Sequence, residues 1–203
     1  MNNLDQKSRD DMGINVSGHI VIRDAETGEE LVNKRNAIHY GNMAFVVAQA
    51  LNNEPNSFIK FMAFGNGATS VDTAGRVVYK TPRVTESVES GANLYSRTFF
   101  KSLRENAPGN SIEIVPGASF SDIVVTCTLG FGEPAGQELF DSSVNNEGEF
   151  VFDELALFTA PTTGTDANNI DAAKMLTHVV FHPVQKSANR VIEVVYTVRV
   201  QLS

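Results

Sequence analysis

The 203-residue sequence has one cysteine, no tryptophan and no apolar run long enough to cross a bilayer, which takes about 20 residues. A single cysteine, Cys127, excludes a disulfide framework within the chain and is typical of a protein made in a reducing cytoplasm. Cys127 lies in an apolar run, so we expect a buried, unreactive side chain. The first twelve residues are polar and charged and do not resemble a signal peptide. We therefore expect no contact with a membrane.

Basic residues are also few. The chain has 16 Lys and Arg against 24 Asp and Glu, which gives a formal net charge of −8. The basic residues are scattered, with no run of three. Because an acidic surface repels a phosphate backbone, this composition argues against direct nucleic-acid binding.

Motifs for catalysis are missing as well. The sequence has no GxSxG elbow and no recognisable Ser/His/Asp arrangement. Gly65-Asn66-Gly67 lacks the third glycine of a dinucleotide-binding loop, and no P-loop Lys-Ser/Thr pair follows it. We expect this segment to be a strand end that bends through positive φ. The sequence therefore predicts no enzyme, no cofactor, and no catalytic, cofactor-binding or metal-binding residues.

Two pairs of titratable residues are candidate sites by their spacing. His178 and His182 are four residues apart, which in a strand places them about 13 Å from each other, too far to share one metal ion. Asp153 and Glu154 are adjacent, and neighbouring strand residues face opposite sides of a sheet, which excludes a glycosidase pair. A carboxylate on the inner face needs a backbone or Arg partner. We predict that both pairs are structural.

The sequence does contain a series of short strand patterns separated by turn residues. Strands are predicted at 18–23, 30–33, 58–64, 76–80, 95–102, 111–115, 121–129, 149–159, 175–182 and 190–202. The first two of them form a hairpin across an Asp-, Thr- and Gly-rich connection. This spacing predicts an all-β fold, an antiparallel β-sandwich or barrel. We expect one β-rich domain over residues 18–203, preceded by an extended N-terminal arm at 1–17.

One segment has helical rather than strand periodicity. Met43, Val47, Ala50 and Leu51 share one side of a helix predicted over 41–51, and we expect this side to be buried. The helix ends at 52–55, because Asn tolerates the left-handed cap position and Pro cannot continue a helix. Together the two periodicities predict a mostly buried set of residues: Met43, Val47, Leu51, Phe61, Phe152, Leu155, Leu157, Val179, Phe181, Val195 and Val198.

Three stretches resemble, in their order, a layout that recurs in structural proteins of tailed bacteriophages, especially tail-fibre, collar and other accessory virion subunits. The first is 32–41, which leads directly into the helix. The second is 59–69, a strand that closes in a Gly-x-Gly-x-Thr turn. The third is 152–158, followed by the terminal pair of strands. Residues from about 81 to 146 carry no resemblance, which leaves the virion component open.

The resemblance implies a virion structural subunit that acts through assembly contacts, in the tail, baseplate or neck or as a capsid accessory protein. Its expected partners are other virion proteins and copies of itself in a symmetric oligomer, with no nucleic acid and no membrane. Its expected location is the virion, after synthesis in the host cytoplasm. The alternative is a host-recognition module, either a fibre or a receptor-binding protein.

The polar arm at 1–11 has its own expected role. It has few apolar side chains to offset the entropy lost when a chain becomes ordered. We therefore expect it to lie on a neighbouring subunit, where pairing with a sheet edge could offset that loss.

Overall fold

The computed structural model describes residues 13–85, 92–105, 107–134, 151–161 and 166–202. The strands in this part of the chain are β1 (Ile14–Asp24), β2 (Glu30–Arg35), β3 (Ala37–Ile38), β4 (Ile59–Gly65), β5 (Thr69–Val71), β6 (Val77–Tyr79), β7 (Arg97–Ser102), β8 (Ser111–Pro116), β9 (Phe120–Leu129), β10 (Val151–Thr159), β11 (Thr177–Gln185) and β12 (Ile192–Leu202). They are joined by helix α1 (Tyr40–Leu51) and a short 3-10 helix (Ile170–Ala172).

Two five-stranded antiparallel sheets make up the sandwich. The first has the order β2-β1-β12-β9-β8 and the second the order β3-β11-β10-β4-β7. Strands β5 and β6 form a separate two-stranded sheet. The predicted hairpin is the β1–β2 pair, and β1 also pairs with β12 along its whole length, from Ile14 opposite Leu202 to Asp24 opposite Ile192. The all-β prediction is confirmed.

The main hydrophobic core lies between the two sheets. Alternation along β1 turns Ile20 and Ile22 inward, and β12 contributes Val194 and Tyr196. The second sheet contributes its own inward row, which includes Phe64, Phe152, Leu155, Leu157, Val179 and Phe181. Side chains from both inner faces fill one layer, as in other sandwiches.

The second sheet is also covered on its outer face. A smaller apolar cluster there contains Phe61, Ala156 and Phe158 from the strands. Leu94 and Ile170, from connecting segments, also belong to it. Strands β4 and β10 are thus buried on both faces, which explains why their sequences are almost continuously apolar rather than alternating.

Helix α1 is present as predicted, but the side of the helix that is buried differs from the predicted one. Asn42 and Val46 are its buried residues, whereas Leu51 is 84% exposed and Met43 and Val47 are half-buried. The Asn42 side chain donates a hydrogen bond to the Met175 carbonyl at 2.7 Å, so a polar residue anchors the inward side. Of the predicted side, Met43 packs against the main core from a half-buried position, but Leu51 projects into solvent, so the prediction is wrong for Leu51.

The residues at the two ends of the helix stabilise its termini. His39 is the N-cap, and its Nδ1 accepts a hydrogen bond from the backbone N–H of Asn42 at 3.1 Å. Asn53 has a φ of 57°, the left-handed conformation expected just after the helix. Within the described residues, no helix has the length and hydropathy needed to span a membrane.

The remaining predicted burial is largely confirmed. Phe61, Phe152, Leu155, Leu157, Val179, Phe181 and Val198 are buried. Val195 is half-buried, because its side of β12 turns away from the core.

Two predicted boundaries need correction. Strand β1 begins at Ile14, so residues 14–17 belong to the first sheet and not to an arm, because β12 continues far enough to pair with them. Strand β11 continues through Pro183 to Gln185, beyond the predicted end at residue 182. The expected contact of the 1–11 segment with a neighbour lies outside the described residues.

Candidate functional site

The carboxylate of Glu154 is the centre of a buried polar cluster on β10. One of its oxygens accepts hydrogen bonds from the backbone N–H groups of Ser96 at 2.8 Å and Gly67 at 3.3 Å. The other accepts from the N–H of Tyr95 at 2.9 Å and lies 3.0 Å from Nε2 of His178. Burial by itself raises the pKa of Glu154. The hydrogen bonds from His178 and from the backbone N–H groups of Ser96 and Tyr95 outweigh this effect and lower the pKa below its ordinary value.

His178, on β11, is fully buried beside this carboxylate. Its Nδ1 accepts a hydrogen bond from the backbone N–H of Arg83 at 2.8 Å. A backbone N–H can only donate, so the ring proton is on Nε2 and points at Glu154. The pair is therefore a neutral imidazole that donates to a carboxylate. Both side chains are 0% exposed, so a substrate cannot reach them.

Asp153 binds the same turn as Glu154. Its carboxylate accepts from the N–H of Ala68 at 3.1 Å, and from the N–H and hydroxyl of Thr69 at 2.7 and 2.5 Å. The predicted backbone partners of the acidic pair are confirmed. The expectation that the two carboxylates serve opposite sides of the sheet is wrong. The register between β10 and β11 shifts at this point, and such an irregularity re-aims a side chain.

Gly65 and Gly67 are needed for space rather than for positive φ. Neither is among the glycines with a positive φ, which corrects the prediction. A Cβ on Gly65 would lie 2.5 Å from Oε1 of Glu154 and 2.5 Å from the Ser96 carbonyl oxygen. A Cβ on Gly67 would lie 2.8 Å from the Ser96 backbone nitrogen. The two glycines allow the β4–β5 turn to close on the Glu154 carboxylate.

Buried Asp24 and half-buried Asp122 have lowered pKa values as well. The backbone N–H of Thr27 and the guanidinium of Arg190 lower the pKa of Asp24 to about 2. The guanidinium of Arg199, bonded to both oxygens of Asp122, lowers the pKa of that carboxyl. Each of these carboxylates binds donors in the fold that it does not meet in the unfolded chain.

We predict acid destabilisation from these carboxylates. Their pKa values are lower in the folded chain, so their stabilisation is complete above about pH 5 and is lost as the pH falls towards 2. The midpoint of urea unfolding, followed by circular dichroism, is expected to stay level between pH 7 and 5 and then to fall. A midpoint that rises on acidification from pH 5 to 3 would contradict this interpretation.

The two histidines of β11 make separate contacts. His182 is exposed, and its Nδ1 lies 3.1 Å from the hydroxyl of Tyr79, whereas His178 is enclosed with Glu154. In the described ranges, no three His, Cys, Asp or Glu residues are grouped closely enough to hold a metal ion.

Cys127 lies on β9 and is fully buried. Burial raises the pKa of its thiol to about 12. Because the thiolate is the reactive form, we expect no labelling by a maleimide under native conditions and one label per chain after unfolding in urea. Mass spectrometry measures both, and rapid stoichiometric labelling of the native protein would contradict the expectation.

An apolar surface lies where α1 passes the first residues of β1. A groove of about 420 Å³ separates the helix from the strand. We call the groove and its rims the helix–strand surface, and its residues are Ile14, Asn15, Val16, Tyr40, Met43, Ala44, Val47, Ala48 and Leu51. None of these side chains carries a charge.

The rims of this surface project into solvent. Leu51 is 84% exposed, Tyr40 74% and Ile14 54%, while Val16, Met43 and Val47 are half-buried along the groove. Single exposed apolar residues are ordinary, whereas a contiguous apolar surface is a candidate interaction site. Sequence periodicity found these helix residues and assigned them to the core. The absence of a charged residue from Asn36 to Asn53 was the sequence signal that could have pointed to an uncharged surface helix.

A second, more polar cleft adjoins this surface. Its volume is about 800 Å³, and it shares Asn15, Val16 and Tyr40 with the helix–strand surface. Arg35 and Asn36, at the junction of β2 and β3, line its other side. The structure thus places concave surfaces on both sides of Tyr40.

The sequence matches no protein-family model, and comparison with curated proteins and with solved structures finds no similar protein.

Proposed function

We propose that this chain is a structural subunit of a tailed-phage virion, in the tail, baseplate or neck or as a capsid accessory protein, and that it acts through protein–protein contacts. The observation that carries the proposal is the helix–strand surface, an uncharged apolar surface with Tyr40 and Leu51 projecting from it. When a partner removes such a surface from water, the free energy of the complex falls by about 25 cal/mol per Å² of apolar area buried.

The order of three stretches in the sequence supports the virion part of the proposal. The three stretches that resemble virion proteins correspond to the β2–α1 segment, the β4–β5 turn and β10 with the final two strands. The buried cluster of Asp153, Glu154 and His178 ties two of them together. Its side chains bind the β4–β5 turn and the segments at 83 and 95–96. Such a cluster supports a rigid scaffold, which is what a repeating assembly requires.

The alternative function, host recognition, has one observation in its favour. The cleft next to Tyr40 combines apolar walls with the polar side chains of Asn15, Arg35 and Asn36. Clefts of several hundred Å³ with a few polar groups are the usual form of ligand sites. In this case the chain would still be part of a particle, but at its host-facing tip.

The test is to find the chain in particles. We expect quantitative mass spectrometry of purified phage particles to detect it at a fixed copy number, and electron microscopy with a bound Fab to place it in the tail, neck or capsid shell. A Fab that labels only fibre tips and blocks adsorption to host cells would favour host recognition. Absence of the chain from purified particles would overturn both functions.

A further inference from the structure

We propose that the helix–strand surface binds the same surface of a second copy of this chain, so that the chain forms a two-fold symmetric dimer. The inference rests on the proposed function in one respect: the dimer would be the unit that enters the assembly. Three independent properties of the surface support it: charge, spacing and shape.

The charge distribution favours self-association at this position. Two copies that each carry a net charge of −8 repel one another, so their contact is most favourable where neither contributes charge. The stretch from Asn36 to Asn53 is the longest in the sequence without Asp, Glu, Lys or Arg. It contains all of α1, and the β1 residues across the groove are uncharged too.

The spacing of the helix residues on this surface fits a second helix. Tyr40, Ala44, Val47 and Leu51 follow one another at intervals of four, three and four residues. This is the a/d spacing with which two helices interlock side chains as knobs and holes. The small Ala44 and Ala48 let a partner backbone approach the middle of the helix, while the large side chains are at its two ends.

The shape of the surface is self-complementary. A two-fold contact uses the same surface on both copies, so that surface must contain both a projection and a recess that receives it. Here Leu51 and Tyr40 project, and the groove of about 420 Å³ between Val16 and Met43 is the recess. In an antiparallel pair, Leu51 of each copy lies near Tyr40 of the other and enters the groove beside it.

The N-terminal segment fits the groove less well. Residues 1–12 contain five charged side chains, at positions 5, 7, 9, 10 and 11. Their apolar side chains are Met1, Leu4 and Met12. Burying this segment in an uncharged groove would remove charges from water without giving them partners.

The first experiment measures mass in solution with the full chain. We expect light scattering and sedimentation equilibrium to give twice the chain mass of 22.0 kDa. The L51E variant is expected to weaken dimerisation about a hundredfold or more, because it buries an unpaired carboxylate. Leu51 is 84% exposed in the single chain, so the variant should fold normally. The matched control is I114E, on edge strand β8, where Ile114 is 71% exposed.

The second experiment locates the contact. The seam of an antiparallel pair has its centre near Ala44, so each A44C chain is expected to crosslink to its partner with a short bis-maleimide. Native Cys127 is buried and does not interfere. The control is A74C, in the exposed β5–β6 turn, which is expected to give no crosslinked dimer.

Several results would overturn the dimer. They are a monomeric chain at all concentrations up to millimolar, a dimer lost in I114E but kept in L51E, or a dimer that A44C does not crosslink. Loss of the dimer on deletion of residues 1–12 would also overturn it, because that segment would then hold the two copies together. These results concern the purified chain, whereas the proposed function is tested on particles. A monomer found in particles would overturn only the dimer, and a dimer absent from particles would overturn only the function.

Discussion

Replacing Glu154 with glutamine is expected to lower the free energy of unfolding by about 3–5 kcal/mol, because it would leave two buried donors unpaired at a cost of about 1–3 kcal/mol each. The amide nitrogen of glutamine would face either the N–H groups of Gly67 and Ser96 or those of Tyr95 and His178, all of which are donors. His178 cannot relieve this by moving its proton, because Nδ1 already accepts from a backbone N–H. Every orientation of the amide therefore leaves buried donors unpaired.

Urea unfolding of the wild-type and E154Q proteins, at equal protein concentration, measures this difference. The matched control is E193Q, which breaks the partly exposed pair between Glu193 and Arg23 and is expected to cost less than about 1 kcal/mol. The E154Q variant should also lose part of the acid sensitivity predicted above. An E154Q midpoint indistinguishable from that of E193Q would show that the cluster does not stabilise the fold.

The strands of this fold could be predicted from sequence because most are half-buried and alternate. In β1 the inward Ile20 and Ile22 are separated by the outward Val21, and period two is visible directly. Short elements such as β3 and β5 were missed, since two or three residues carry no periodicity. Strand β11 was predicted too short because Pro183 resembles a strand end, yet it lies where the register with β10 is already irregular.

The polar cluster could be predicted only in part. Local sequence indicated that a buried carboxylate at Asp153 or Glu154 needs backbone partners, and it has them. The identity of those partners depends on which strands are neighbours. Tyr95 and Gly67 are far from β10 in sequence but are brought to it through β4 and β7. The close approach at Gly67 is likewise a tertiary property, so glycine there was misinterpreted as a positive-φ turn.

The helix shows why periodicity alone does not identify the buried side. Residues at helical spacing share a side whether that side meets the core or another molecule. The apolar side with Val47 and Leu51 was assigned to the core, but the core side of α1 is held by Asn42 and its hydrogen bond to Met175. The long charge-free stretch is what sets this helix apart in the sequence, because an isolated surface helix usually has charged residues on its solvent side.

Truncating Phe152 to alanine is expected to cost about 3–5 kcal/mol of unfolding free energy. Phe152 is 1% exposed and packs between the sheets, with its ring centroid 5.0 Å from that of Phe64. The variant loses the transfer free energy of the ring and leaves a cavity. Neighbouring β10 residues cannot relax far into it, because the hydrogen bonds of Asp153 and Glu154 hold the adjacent backbone. We therefore expect the upper part of this range.

The control for this prediction is F131A, because Phe131 is 65% exposed and its truncation is expected to change stability by less than about 0.5 kcal/mol. Urea unfolding followed by circular dichroism gives both values, and F152L is expected to fall between them because leucine refills part of the cavity. If the cavity is the cause, the loss should follow the volume removed, so F152A must be less stable than F152L. Equal stability of F152A and F131A would mean that Phe152 is not packed in the core, and the two sheets would then not pack through this residue.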